Sequence, residues 1–128
     1  MLPHIMPSYA ALLALFYVYL SASVIRMRQA SAISIGSGGN RLLERRIRVH
    51  ANFAEYVPLA LILLVLMELR GHAAWYLHVL CIALVVGRVA HAWGVSQEPD
   101  DFRFRGIGVM LTFAVLAAAA LTLLVDVL

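Results

Sequence analysis

Four long apolar stretches decide what this chain folds into. Residues 8–25 and 106–125 carry no Asp, Glu, Lys or Arg, and each approaches the ~20 residues that cross a bilayer as a helix. The two stretches between them are interrupted by charge. The second is charge-free only over 56–67, and it reaches spanning length if its helix begins near Leu42 and takes Arg48 and Glu55 into its first turns. The third is charge-free over 73–87 and continues through Arg88 to about Trp93. Of the 128 residues, 63% are hydrophobic and the mean hydropathy is +0.89, whereas a soluble domain holds roughly 45–50% apolar residues. The expected fold is an all-α membrane protein, a four-transmembrane-helix bundle with residues 1–128 as one domain.

The basic charge sorts by loop. All ten basic residues are arginines. Six (Arg26, Arg28, Arg41, Arg45, Arg46 and Arg48) lie between the first and second stretches, and three (Arg88, Arg103 and Arg105) lie from the end of the third to the start of the fourth. Only Arg70 lies in the turn between the second and third. Cytosolic loops carry the excess of basic residues, which predicts both arginine-rich loops in the cytosol and both termini outside it. Charge confined to span ends argues against nucleic acid as a partner. Residues 1–7 contain no Lys or Arg, so the first stretch lacks the flank of a secretory signal and is expected to be retained.

Several local features read plainly. Residues 29–40 are rich in Ser, Gly and Ala and predict a flexible turn; no Gly-Lys-Ser/Thr follows to make a phosphate loop. Pro99 with Glu98, Asp100 and Asp101 predicts a solvated turn. Pro58 is expected to kink the second helix or free the carbonyl of Ala54. Cys81, the lone cysteine, reads as a small buried hydrophobe. The histidines are not spaced as metal ligands.

The middle spans carry the polar groups. On a helix turning about 100° per residue, Arg48, Asn52 and Glu55 fall within about 60° of one another, and Tyr56 widens that arc to about 100°. A cation, an amide, an anion and a phenol on one membrane stripe are costly unless they face a bundle interior or a wet cavity. Arg88 and His91 stand i,i+3 on the third helix. Arg103 and Arg105 open the fourth, and Arg105 adds its charge to the positive helix end. Several arginines imply carboxylates or another anion as ligand.

The segments RVHANFAEYVPLALILL and GRVAHAWG resemble the membrane-associated proteins in eicosanoid and glutathione metabolism, the MAPEG family, and four helices over nearly the whole chain fit that family's layout. The family includes microsomal glutathione transferase, leukotriene-C synthase and microsomal prostaglandin E synthase. The resemblance implies a homotrimer in a bacterial inner membrane, with glutathione bound near the cytosolic side between subunits and a lipophilic second substrate arriving from the bilayer. It implies glutathione contacts from Arg26, Arg48, Asn52, Glu55, Tyr56, Arg88 and His91, and thiolate stabilisation by Arg105. Val95 stands where the eicosanoid-forming members carry a tyrosine, and Ala51 where prostaglandin E synthase carries an arginine. The resemblance is therefore to a general glutathione transferase. Two competing classes are a glutathione- or lipid-binding membrane module without turnover and a small multidrug-type transporter. The transporter class relies on an acid deep in its first helix, and here no Asp or Glu lies between His4 and Arg26.

Overall fold

A computed structural model describes residues 2–128 and contains four helices, α1 (Met6–Ser31), α2 (Arg41–Leu69), α3 (Ala74–Ser96) and α4 (Phe102–Val125), with no strand among the described residues. Each helix is long and apolar enough to cross a membrane. Lipid offers the backbone no hydrogen bonds, which is why apolar runs of this length become helices. Like α3, α2 touches all three others. It buries Val49, Phe53, Val57, Ala60, Leu64 and Met67 at three- and four-residue spacing, the period of one helix face. By contrast, α1 buries only Met6, Leu13 and Leu20, a single line along its length.

The helices outrun the apolar stretches at their arginine-rich ends. α1 continues to Ser31 rather than stopping near residue 25, so Arg26 and Arg28 sit on the helix. Ala32 ends it in the left-handed conformation at φ 53°. The expected flexible turn after it is tied down instead. The Arg28 guanidinium donates to the Gly36 carbonyl at 2.8 Å. Asn40 caps α2 by accepting from the amides of Leu42 and Leu43. α2 passes through Pro58 as one continuous helix. α4 begins at Phe102 rather than Gly106, because the Asp101 side chain accepts the Arg103 amide and caps it.

At the opposite end, α1 has no cap of its own. Glu68, from the last turn of α2, supplies one. Its Oε1 accepts from the amides of His4 and Ile5 at 2.6 Å each, and its Oε2 from Met6 at 2.8 Å. A carboxylate at a helix N-terminus meets both the orphan amides and the positive dipole end. Beside it, His72 pairs with Asp126 at 2.7 Å and joins the α2–α3 turn to the end of α4.

The closest helix pairing is α3 against α4, made possible by glycine. A Cβ at Gly108 would lie 2.6 Å from the Gly87 carbonyl oxygen and 2.6 Å from the His91 backbone nitrogen. A Cβ at Gly106 would meet nothing within 4 Å. Small residues let membrane helices approach this closely. Opposite outcomes follow for the two alanine variants. Gly108→Ala should cost about 1–3 kcal/mol through overpacking, whereas Gly106→Ala should be neutral or gain up to about 1 kcal/mol in helix propensity. Thermal unfolding in detergent reads both, and a Gly108→Ala protein as stable as Gly106→Ala would refute the seam.

Candidate functional site

The polar residues of the middle helices gather in two layers at the arginine-rich end of the bundle. The deeper layer centres on Arg88, which is 1% exposed. Its Nη2 donates to Asn52 Oδ1 of α2 at 2.6 Å, and its Nη1 donates to Thr112 Oγ1 of α4 at 3.3 Å. Thr112 in turn donates to the Gly108 carbonyl at 2.8 Å. His91 Nδ1 lies 3.3 Å from Arg88 Nη2. A guanidinium only donates, so Nδ1 accepts and a neutral imidazole carries its proton on Nε2. The Arg88 guanidinium also stands 5.9 Å from the centre of the Phe53 ring, within range of a cation–π attraction. Among the described residues no carboxylate pairs with Arg88, and its Nε is buried without a partner.

Above that floor lies a cavity of about 270 Å³. Asn52 and His91 form its inner wall, four arginines (Arg41, Arg45, Arg48 and Arg105) surround it, and Glu44, Asp100 and Val95 complete the lining. Asp100 joins the helices. Its Oδ2 accepts from Arg105 Nη1 at 2.8 Å, and its other oxygen pairs with Arg45. Arg45 also donates to the Val95 carbonyl at 3.2 Å. Such a cavity suits a ligand with more than one anionic group, since arginine forks match carboxylate geometry.

Of the expected site residues, Arg48, Asn52, His91 and Arg105 line this cavity and Arg88 lies beneath it. Three stand apart. Glu55 pairs with Arg48 at 3.9 Å, with the two side chains 52% and 60% exposed in the single chain. The expected stripe therefore divides: Asn52 turns inward, while Arg48 and Glu55 reach over the outer side. Tyr56 packs its ring against Phe113 at 5.4 Å. Arg26 is exposed on α1 and does not line the cavity. Arg105 is the fourth residue of α4 and Arg103 the second. This reverses the expectation that Arg105 opens the helix. Arg105 nonetheless reaches the cavity, whereas Arg103 lines a separate shallow hollow with residues 97–102.

Arg41, Glu44, Arg45, Asp100 and Thr112 were not expected at the site. For two of them a signal existed: Arg41, Arg45, Arg48 and Asn52 are spaced four, three and four along α2, which is one face of a helix. Charge at the end of a span has a simpler explanation in topology, which masked that stripe. Nothing local marks Asp100, whose partners lie on α2 and α4.

Four apolar helices and a polar, arginine-lined cavity at one end of their bundle define a membrane protein with a candidate ligand site. The MAPEG family model matches residues 6–125, and the chain belongs to that family. It is 36% identical over 108 residues to "Inner membrane protein YecN" of Escherichia coli strain K12, covering 84% of this chain and 81% of that one. The match to the protein of the same name from Escherichia coli O6:H1 strain CFT073 is equal in identity and extent. The protein is an integral inner-membrane protein.

The deep layer gives a stability test. Asn52→Leu leaves the buried Arg88 charge without its shortest hydrogen bond, a bond to a charged group worth about 1.5–3 kcal/mol. Arg88→Leu removes the charge itself, leaving only neutral groups, and the double variant should recover stability relative to Asn52→Leu alone. Strictly additive losses in denaturant unfolding would show that the two side chains are not coupled.

Proposed function

We propose that the protein is a membrane glutathione transferase. The observation that carries this reading is the four-arginine cavity over the Arg88–Asn52–His91 floor, in a chain of the MAPEG family. Glutathione brings two carboxylates, one ammonium and one thiol. The arginines suit the carboxylates, and Arg105 suits the sulfur, because a nearby cation favours thiolate over thiol. The thiol proton leaves to water. The thiolate then attacks an electrophilic carbon of an apolar substrate arriving from the bilayer; an S–C bond forms and the leaving group departs with its electron pair. Reduction of a lipid hydroperoxide by the same thiolate is the companion reading.

A homotrimer is part of the proposal. Arg26, Glu55 and Tyr56 lie outside the cavity of one chain, and α1 buries only one line of side chains. A neighbouring subunit packed on that side would bring its residues to these positions and close the exposed Arg48–Glu55 pair. The arginine distribution supports a cavity facing the cytosol with both termini outside it.

Calorimetry and thiolate absorbance test this together. Arg48→Ala should weaken glutathione binding roughly tenfold, through loss of one guanidinium contact to a ligand carboxylate. Arg105→Ala should raise the pKa of the bound thiol and lower turnover more than affinity, while Arg103→Ala should do little. Loss of the thiolate signal in Arg103→Ala but not Arg105→Ala would assign the role to the wrong arginine. Glutathione binding without proton release near neutral pH would favour a binding module without turnover. Native mass spectrometry from lipid nanodiscs reads the trimer.

A further inference from the structure

The carboxylate of Asp100 occupies ground that an incoming anion needs. It lies on the α3–α4 connection and holds Arg105 of α4 at 2.8 Å with one oxygen and Arg45 of α2 with the other. Its side chain is 14% exposed, less than either arginine. The backbone around it is fixed. The Asp101 amide donates to the Gly94 carbonyl at 3.1 Å, and the Asp101 carbonyl accepts the Arg105 amide at 3.0 Å. A Cβ at Gly94 would strike the Arg105 backbone nitrogen. Any motion here belongs to the Asp100 side chain, not to the loop.

We propose that Asp100 is an internal competitor for the arginines that take the cavity's ligand, and so a specificity-determining residue: the anionic groups of the ligand, a carboxylate at Arg45 and the thiolate at Arg105, displace it. The proposal rests on the reading that the cavity takes an anionic ligand. The exchange replaces one anion by another on the same guanidinium donors, so neither guanidinium is left without an anion along the way. It also selects. Arg45 and Arg105 are already neutralised in part, so a weak single anion gains little by entering. With four arginines against Glu44 and Asp100, the lining residues themselves net two positive charges, while Glu98 and Glu55 reach Arg41 and Arg48 from outside the lining. Glutathione as its thiolate, with two carboxylates, one ammonium and one thiolate, carries the matching two negative charges. The opposing possibility is that Asp100 stays in place and only positions Arg105 for the ligand. The two possibilities differ in sign, because removing a competitor tightens binding and removing a positioning residue weakens it.

The test titrates parent, Asp100→Asn and Asp100→Glu proteins in lipid nanodiscs by calorimetry, with glutathione and separately with sulfate. Asp100→Asn should bind both probes roughly tenfold more tightly, the scale of one charge contact, and Asp100→Glu should stay near the parent. Unchanged or weaker binding of both probes by Asp100→Asn overturns the proposal. Tighter sulfate binding, with no glutathione binding by parent or variant, keeps the competitor and removes the glutathione reading. Glutathione binding that is equal in parent and Asp100→Asn does the reverse. If Asp100→Asn fails to fold, infrared difference spectra of the parent decide: saturating sulfate, which has no carboxylate, should shift an aspartate carboxylate stretch, and an unshifted band overturns the displacement.

Discussion

The arrangement depends on how a buried guanidinium is kept without a carboxylate. Arg88 sits inside an apolar four-helix bundle, held by an amide, a hydroxyl, an imidazole and an aromatic face. Neutral partners satisfy its hydrogen bonds but leave its charge uncompensated. A cation so placed projects a positive potential into the nearest polar space, which is the cavity bounded by Asn52 and His91. A carboxylate partner would cancel that potential. Burial in low dielectric makes the uncancelled charge expensive, and an ionisable residue kept at that cost within a membrane span is a functional-site candidate.

The two ends of the bundle handle charge differently. At the end where the chain begins, each carboxylate is spent on structure: Glu68 caps α1, and Asp126 holds His72. At the other end the arginines outnumber the acids; Asp100 and Glu44 line the cavity, and Glu55 and Glu98 meet its arginines from outside. Both ends are polar enough to sit at a membrane boundary. Among the described residues, the arginine-rich end is the one that gathers several like charges around one concave space, and that difference, not polarity as such, marks the candidate site.

The architecture was legible because its signal is local and repeated. Uncharged stretches of spanning length leave the backbone little choice, and all four helices lie where the apolar stretches placed them. The misjudged boundaries share one cause. Hydropathy reports where lipid ends, not where the helix ends, so α1 runs on to Ser31 and α4 starts at Phe102, each set by its own cap. The second-helix stripe told which residues share a face but not which neighbour each would meet. Asn52 and Glu55 are three residues apart, yet one meets Arg88 and the other reaches Arg48. The Glu68 and Asp100 contacts were illegible for another reason: their partners are 62 to 64 residues away in sequence for Glu68 and, in the case of Arg45, on another helix for Asp100. An acid in a turn reads as solvated until the fold supplies its donor.

Glycine is what lets these charges meet. His91 belongs to α3 and Arg105 to α4, and both line one cavity of about 270 Å³. Two helices carrying side chains at the contact stand about 8–10 Å apart, which would hold the α4 arginine away from the α3 imidazole. Gly87, Gly94 and Gly108 remove the side chains where the two backbones cross. With the α3–α4 spacing fixed by backbone contact, Thr112 falls within reach of Arg88, and Arg105 within reach of Asp100. The polar site is thus positioned by residues with no polar side chain. A change at the seam would act on the shape of the cavity as well as on packing, because close approach of α3 and α4 is the condition for both.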